Sequence, residues 1–138
     1  MPSARDVMTP DARCIGENQT LAEAARLMAE LEIGSLPICG EDDRLKGMLT
    51  DRDIVVKGLA KGKDPNSTKA GEFGGVEVVT IGADDSVEEA LRTMSDHQVR
   101  RLPVIDGHRL VGMVSLKDLV QALPDPKAGD LIQYITQG

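Results

Sequence analysis

Aromatic side chains are almost missing from this chain: Phe73 and Tyr134 are the only two, and there is no tryptophan. The core must therefore be built from Leu, Ile, Val, Met and Ala, and stacking platforms for single-stranded nucleic acid, which need exposed rings, are disfavoured. Cationic charge is short as well. Against 23 Asp and Glu stand 16 Lys and Arg, giving a formal net charge of −7 and a pI of about 4.8. The long-range field repels a phosphate backbone, so no nucleic-acid polymer is expected as a partner. A small phosphorylated ligand remains compatible, because a few local cations and backbone N–H groups act at short range. Cys14 and Cys39 are too few and too widely spaced to build a structural zinc site. No apolar run approaches the roughly 18 residues of a membrane span, and Met1-Pro2-Ser3-Ala4-Arg5-Asp6 has no signal-peptide stretch. The expectation is a cytoplasmic protein with no membrane partner.

What the chain does have is an internal repeat. Ile15-Gly16 recurs as Ile81-Gly82, Glu23-Ala24 as Glu89-Ala90 and Leu36-Pro37 as Leu102-Pro103, all at an offset of 66 positions. Further on, Leu45-Lys46-Gly47-Met48 matches Leu110-Val111-Gly112-Met113 and Asp53 matches Asp118 at an offset of 65, as a one-residue deletion in the intervening turn would produce. With 138 residues, 41% hydrophobic and 28% charged, the chain suits two small units sharing a core and leaves no room for a separate catalytic domain.

Each copy reads as βαββα. Thr20-Leu21-Ala22-Glu23 and Ser86-Val87-Glu88-Glu89 are capping boxes that start helices. Leu21, Ala24, Ala25, Met28 and Leu31, and likewise Val87, Ala90, Leu91 and Met94, recur at the spacing of one buried helical stripe. Extended stretches at Ala12 to Ile15 and Val76 to Ile81 precede these helices, and the Leu-Pro strands follow them. Hairpins, through Gly40 to Arg44 and through Asp106-Gly107, lead to second strands and then to helices at Asp51 to Leu59 and Leu116 to Leu123. Residues 61–69 read as a polar linker, and Leu131, Tyr134 and Ile135 would lie on a last helix in the tail. The expected boundaries are 1–64 for the first unit, 65–124 for the second and 125–138 for the tail.

Arg5-Asp6-Val7-Met8-Thr9-Pro10, the two Leu-Pro strands and the closing Gly-x-x-Thr/Ser-x-x-Asp segments together resemble the CBS (cystathionine β-synthase type) domain in its tandem form, the Bateman module. The resemblance covers nearly the whole chain, and Leu36 to Gly40 with Gly47 to Val55 narrows it to a hypoxic-response branch of mycobacteria and their actinobacterial relatives. It implies an α/β (α+β) fold: two units related by a pseudo-twofold axis with their sheets packed together. It also implies a cleft between the units that binds AMP, ATP, NAD or S-adenosylmethionine as a regulatory ligand, a homodimer, and a protein partner that reads the ligand state. A βαβ connection together with this fold would set the strands of Cys14 and Cys39 side by side, about 6 Å apart at Cα; a disulfide and two buried thiols both stay open.

The chemistry is expected at Thr50-Asp51-Arg52-Asp53 and Ser115-Leu116-Lys117-Asp118, where a hydroxyl ends a strand and a carboxylate lies one helical turn on. A carboxylate is the strongest acceptor for a ribose diol, which nominates Asp53 and Asp118, and Thr50 and Ser115 would help the backbone N–H groups hold phosphate. The same spacing is also a helix cap worth about 1 kcal/mol with no ligand at all. Gly47 and Gly112 would let a ligand or another backbone approach. By the resemblance, Arg101 and less directly Arg100 are phosphate contacts; the alternative is a solvated surface pair. His97 and His108 lack metal-ligand company, and no metal is assigned. The Met residues read as core, and no nucleophile stands with a base and an orienting acid, so an enzyme is not expected. The rival to nucleotide sensing is a structural or interaction module with a vestigial cleft.

Overall fold

The computed structural model describes residues 2–74 and 78–123. The chain opens with α1 (Ala4–Val7) and β1 (Thr9–Pro10). The first copy runs β2 (Ile15–Gly16), α2 (Leu21–Leu31), β3 (Ser35–Cys39), β4 (Leu45–Thr50) and α3 (Asp51–Asp53), the last continuing as a π-helical turn over Ile54–Gly58 and a 3-10 turn over Leu59–Lys61. A further 3-10 turn spans Ala70–Phe73. The second copy repeats the order as β5 (Ile81–Gly82), α4 (Val87–His97), β6 (Arg101–Asp106), β7 (Arg109–Ser115) and α5 (Leu116–Gln121). The expected tail helix lies outside the described residues.

Matching strand registers display the repeat directly. β2 pairs parallel with β3 (Ile15 opposite Ile38), and β5 parallel with β6 (Ile81 opposite Val104). β3 pairs antiparallel with β4 and β6 with β7, and each hairpin has a register shift at the same place, between Ile38 and Cys39 and between Val104 and Ile105. The offset changes from 66 to 65 inside the hairpin loop, where five residues separate Cys39 from Leu45 and four separate Ile105 from Leu110. The expected first strand from Ala12 is shorter than read: ladder bonding starts at Ile15, after Asp11 turns the chain at φ 53°, and in the second copy it starts at Ile81, positions 76 and 77 of the expected strand lying outside the described residues.

Apolar burial follows the helical spacing. In the first copy Leu21, Ala24 and Met28 pack with Ile15, Leu36, Ile38, Leu49 and Ile54; in the second Val87, Ala90, Leu91 and Met94 pack with Ile81, Leu102, Val104, Val114 and Leu119. Each fully buried Leu, Ile or Val contributes about 1.5–3 kcal/mol. Ala25 departs from the expected stripe and is exposed, because the three-stranded sheet covers only the narrower Leu21–Ala24–Met28 line. Met28 and Met94 are core as expected, while Met48 and Met113 are half-buried.

By contacts the chain separates into one unit of Arg13–Val78 and another formed by the residues through Ala12 with Val79 onward. The repeat in the sequence would have cut near residue 64 and kept the N-terminal segment with the first copy. Hydrogen bonds assign it otherwise. Ala4 N donates to Asp85 O at 2.8 Å and Arg5 N to Ala83 O at 2.9 Å, while the corresponding Ala70 N and Gly71 N donate to Gln19 O and Glu17 O at 2.7 and 2.9 Å. Each copy's leading segment thus packs with the other copy's strands and helix. β1 completes the second unit's sheet, in the order β1-β7-β6-β5. The Ser3 backbone N–H and hydroxyl donate to Asp6 and hold its carboxyl below the usual range, and Arg5 reaches Asp106 at 3.0 Å.

The stretch read as a linker has the same kind of task. At the start of α2, Leu21 N donates to Thr68 O and Ala22 N to Pro65 O, both at 2.9 Å, while Glu23 N donates to Thr20 Oγ1 at 3.2 Å. These bonds satisfy N–H groups that a helix start leaves without intrahelical partners. In α4, Val87 N donates to Pro2 O at 3.2 Å and Glu89 N to Ser86 Oγ at 3.1 Å.

Candidate functional site

β4 and β7 end at Thr50 and Ser115, which keep extended backbone while the next residue turns helical. Asp53 N donates to Thr50 Oγ1 at 3.0 Å and Thr50 N to Asp53 Oδ2 at 3.1 Å. In the second copy Asp118 N donates to Ser115 Oγ at 3.2 Å and Ser115 N to Asp118 Oδ2 at 3.1 Å. The full reciprocal cap therefore sits at these junctions. At Thr20 and Ser86 the structure has the hydroxyl acceptor, but among the described hydrogen bonds no return bond from the cap backbone N–H to Glu23 or Glu89.

The two aspartates are not equivalent. Asp53 Oδ1 also pairs with Lys57 Nζ at 3.4 Å, one helical turn on. Position 122 of the second copy corresponds to Lys57 and is alanine. Among the described residues, Asp118 Oδ1 has no hydrogen-bond or ion-pair partner.

Arg100, Arg101, Ser115, Leu116, Lys117 and Val120 line a cavity of about 450 Å³ on the second copy, within the range of small-molecule sites. It brings together three of the residues nominated from sequence, Arg100, Arg101 and Ser115. Lys117 was not singled out, although it stands between the nominated Ser115 and Asp118; its two-residue step into the helix is the signal that places it on the same mouth. Asp118 is not in the lining, its Oδ2 being turned back onto the Ser115 backbone. Thr50 and Asp53 belong to the other unit and are not among the residues lining this cavity.

Gly47 and Gly112 receive backbone. A Cβ at Gly47 would meet Gly74 Cα at 3.0 Å, and one at Gly112 would meet Thr9 O at 2.7 Å. Cys14, the residue before β2, and Cys39, the last of β3, are joined as a disulfide with Cα atoms 6.0 Å apart. His97 and His108 are exposed. Among the described residues no three His, Cys, Asp or Glu side chains gather as a metal set, and no helix is long and apolar enough to cross a membrane.

The family model described as CBS domain matches twice, over residues 4–58 and 71–125. The chain belongs to the CBS-domain family. As a CBS pair it is 54% identical over 125 residues to hypoxic response protein 1 of Mycobacterium tuberculosis, covering 91% of this chain and 87% of that one. The crystal structure of Hypoxic Response Protein I with two coordinated zinc ions is similar at a TM-score of 0.82 and 54% identity, covering 89% of this chain and all of that chain (100%). The fold is shared with CBSX2, crystallised in complex with AMP, at a TM-score of 0.75 and 22% identity over 88% of this chain and 96% of that one. Both copies of the family model include the Thr50-x-x-Asp53 or Ser115-x-x-Asp118 junction.

Proposed function

We propose that this CBS pair is a regulatory module that senses an adenosine-type nucleotide at its strand-to-helix junctions and transmits occupancy as a change of conformation. The observation that carries this reading is the cavity at Ser115, lined by the cations Arg100, Arg101 and Lys117, with Asp118 next in sequence and its Oδ1 without a partner among the described residues. Cations take the phosphate through charge-assisted bonds, and Asp118 Oδ1 takes the ribose hydroxyls. AMP, ATP, NAD and S-adenosylmethionine all carry that ribose. A fold relative crystallised with AMP agrees in ligand class. Ligand acts through its differential affinity for two arrangements of the chain, and a protein partner reads the difference.

We read the working form as a homodimer in the cytoplasm, with no catalytic step of its own. In a reducing compartment the Cys14–Cys39 bridge is expected to be open and to close on oxidation. Titration calorimetry with the four nucleotides tests the reading, and no heat from any of them with folded protein defeats it.

A second reading, an interaction module whose ligand site is vestigial, draws on one observation. Val55, Val56 and Leu59 are 55%, 40% and 52% exposed on the turns after α3, a cluster suited to a protein partner. It predicts that Asp53→Ala and Asp118→Ala change stability and no binding event.

A further inference from the structure

We infer that the two copies have diverged in charge so that only the second accepts a phosphate: one phosphorylated ligand binds per chain, at the Arg100–Arg101–Lys117 cavity, and the first copy's junction rejects it. This rests on the nucleotide reading above and narrows it.

The copies can be compared position by position, because one backbone bond closes both junctions. Asp51 N donates to Gly34 O at 2.9 Å, and Leu116 N donates to Arg100 O at 2.8 Å. Around that bond the second copy places Arg100, Arg101, Leu116 and Lys117, three cations and an apolar side chain; the first places Gly34, Ser35, Asp51 and Arg52, one cation and one anion. The acid occupies the space in which the second copy's arginine begins. A Cβ at Gly34 would lie 3.1 Å from Asp51 Oδ2, so glycine at 34 leaves room for the aspartate at 51.

The aspartates diverge in the same sense. Asp53 has one oxygen on the Thr50 backbone and the other on Lys57, whereas Asp118 has only the Ser115 backbone among the described residues. An incoming ribose must displace Lys57 in the first copy and displaces no side chain in the second. A phosphate approaching the first junction meets the Asp51 carboxylate; approaching the second it meets three cations in a lining with no carboxylate. Affinity should therefore follow phosphate count, ATP above AMP above adenosine.

Titration calorimetry on the full chain with ATP, AMP and adenosine tests this. The expected result is one site per chain, in that order of affinity, with Arg101→Gln and Lys117→Gln each weakening ATP by about tenfold or more and Arg52→Gln leaving it unchanged. All three substitutions fall on exposed side chains. Two equal sites per chain, equal affinity for ATP and adenosine, or an Arg52→Gln loss matching that of Lys117→Gln would overturn the division while leaving nucleotide sensing intact. Absence of binding by all three probes would overturn both.

Discussion

Replacing Asp118 by alanine removes one hydrogen bond of the cap and leaves its reciprocal in place, because Ser115 Oγ accepts from the backbone N–H of residue 118. The lost bond is charge-assisted and its donor, Ser115 N–H, is part-buried. The expected cost is about 1 kcal/mol, a fall in melting temperature of about 3–4 °C for a chain of this size. Ser115→Ala removes the other bond at a similar cost. The two bonds share no atoms but close one cap, so the departure of the double variant from the sum, about 2 kcal/mol, measures their coupling. Asp53→Ala should cost the same as Asp118→Ala plus a few tenths, because Lys57 is 66% exposed and a screened surface pair adds little. Thermal and urea unfolding without nucleotide measure all four. If Asp118→Ala leaves stability unchanged within about 0.3 kcal/mol, the cap is not a stabilising element and this reasoning is wrong.

Three further outcomes are expected. Gly112→Ala drives a methyl into Thr9 O and should detach β1 from β7, costing about 1–3 kcal/mol and exposing the first 12 residues to limited proteolysis; an unaltered cleavage pattern would count against that pairing. Reducing Cys14–Cys39, whose partners are 25 positions apart, should cost about 3 kcal/mol by loop-closure entropy, read as a lower urea midpoint in dithiothreitol with no such drop in Cys14→Ser. Asp6 has a folded pKa below its usual value of 3.8 because Ser3 donates to it, so its contribution is present above that value and lost as pH falls through the lower folded pKa. Asp6→Asn should flatten that part of the stability–pH curve, and an identical acid limb in both proteins would refute the assignment.

Local signals carried most of the fold. Thr20 and Ser86 announce their helices because a cap is a contact over three residues, and the hairpins announce themselves through turn residues and paired apolar runs. The loop in which one residue is missing follows from the repeat, as does the expectation that both copies share one strand order. Long-range pairings were not legible. Nothing local in Ala4-Arg5-Asp6 says that its N–H groups bond near Ala83 and Asp85, since that choice depends on how strands from both copies are ordered. The polarity that makes residues 61–69 look like a linker conceals that the Pro65 and Thr68 carbonyls complete the start of α2. At the site, Arg100 and Arg101 were nominated by the resemblance and Ser115 by its hydroxyl at a strand-to-helix junction, and one cavity is lined by all three. Lys117 was not nominated, because its share in the cavity depends on where the first turn of α5 points, and the turning of Asp118 onto its own cap is a choice of rotamer.

The traded leading segments also govern how the chain comes apart. Proteolysis in the exposed 61–64 stretch would break the polypeptide without releasing either half, for the front fragment keeps Ala4 and Arg5 clasped to residues 83–85 and the rear fragment keeps Ala70 and Gly71 clasped to residues 17–19. The nicked protein should migrate as one particle until denatured. At high concentration a chain whose arms have let go can lend them to a neighbour, so the same topology that resists cutting offers a route to interlocked oligomers.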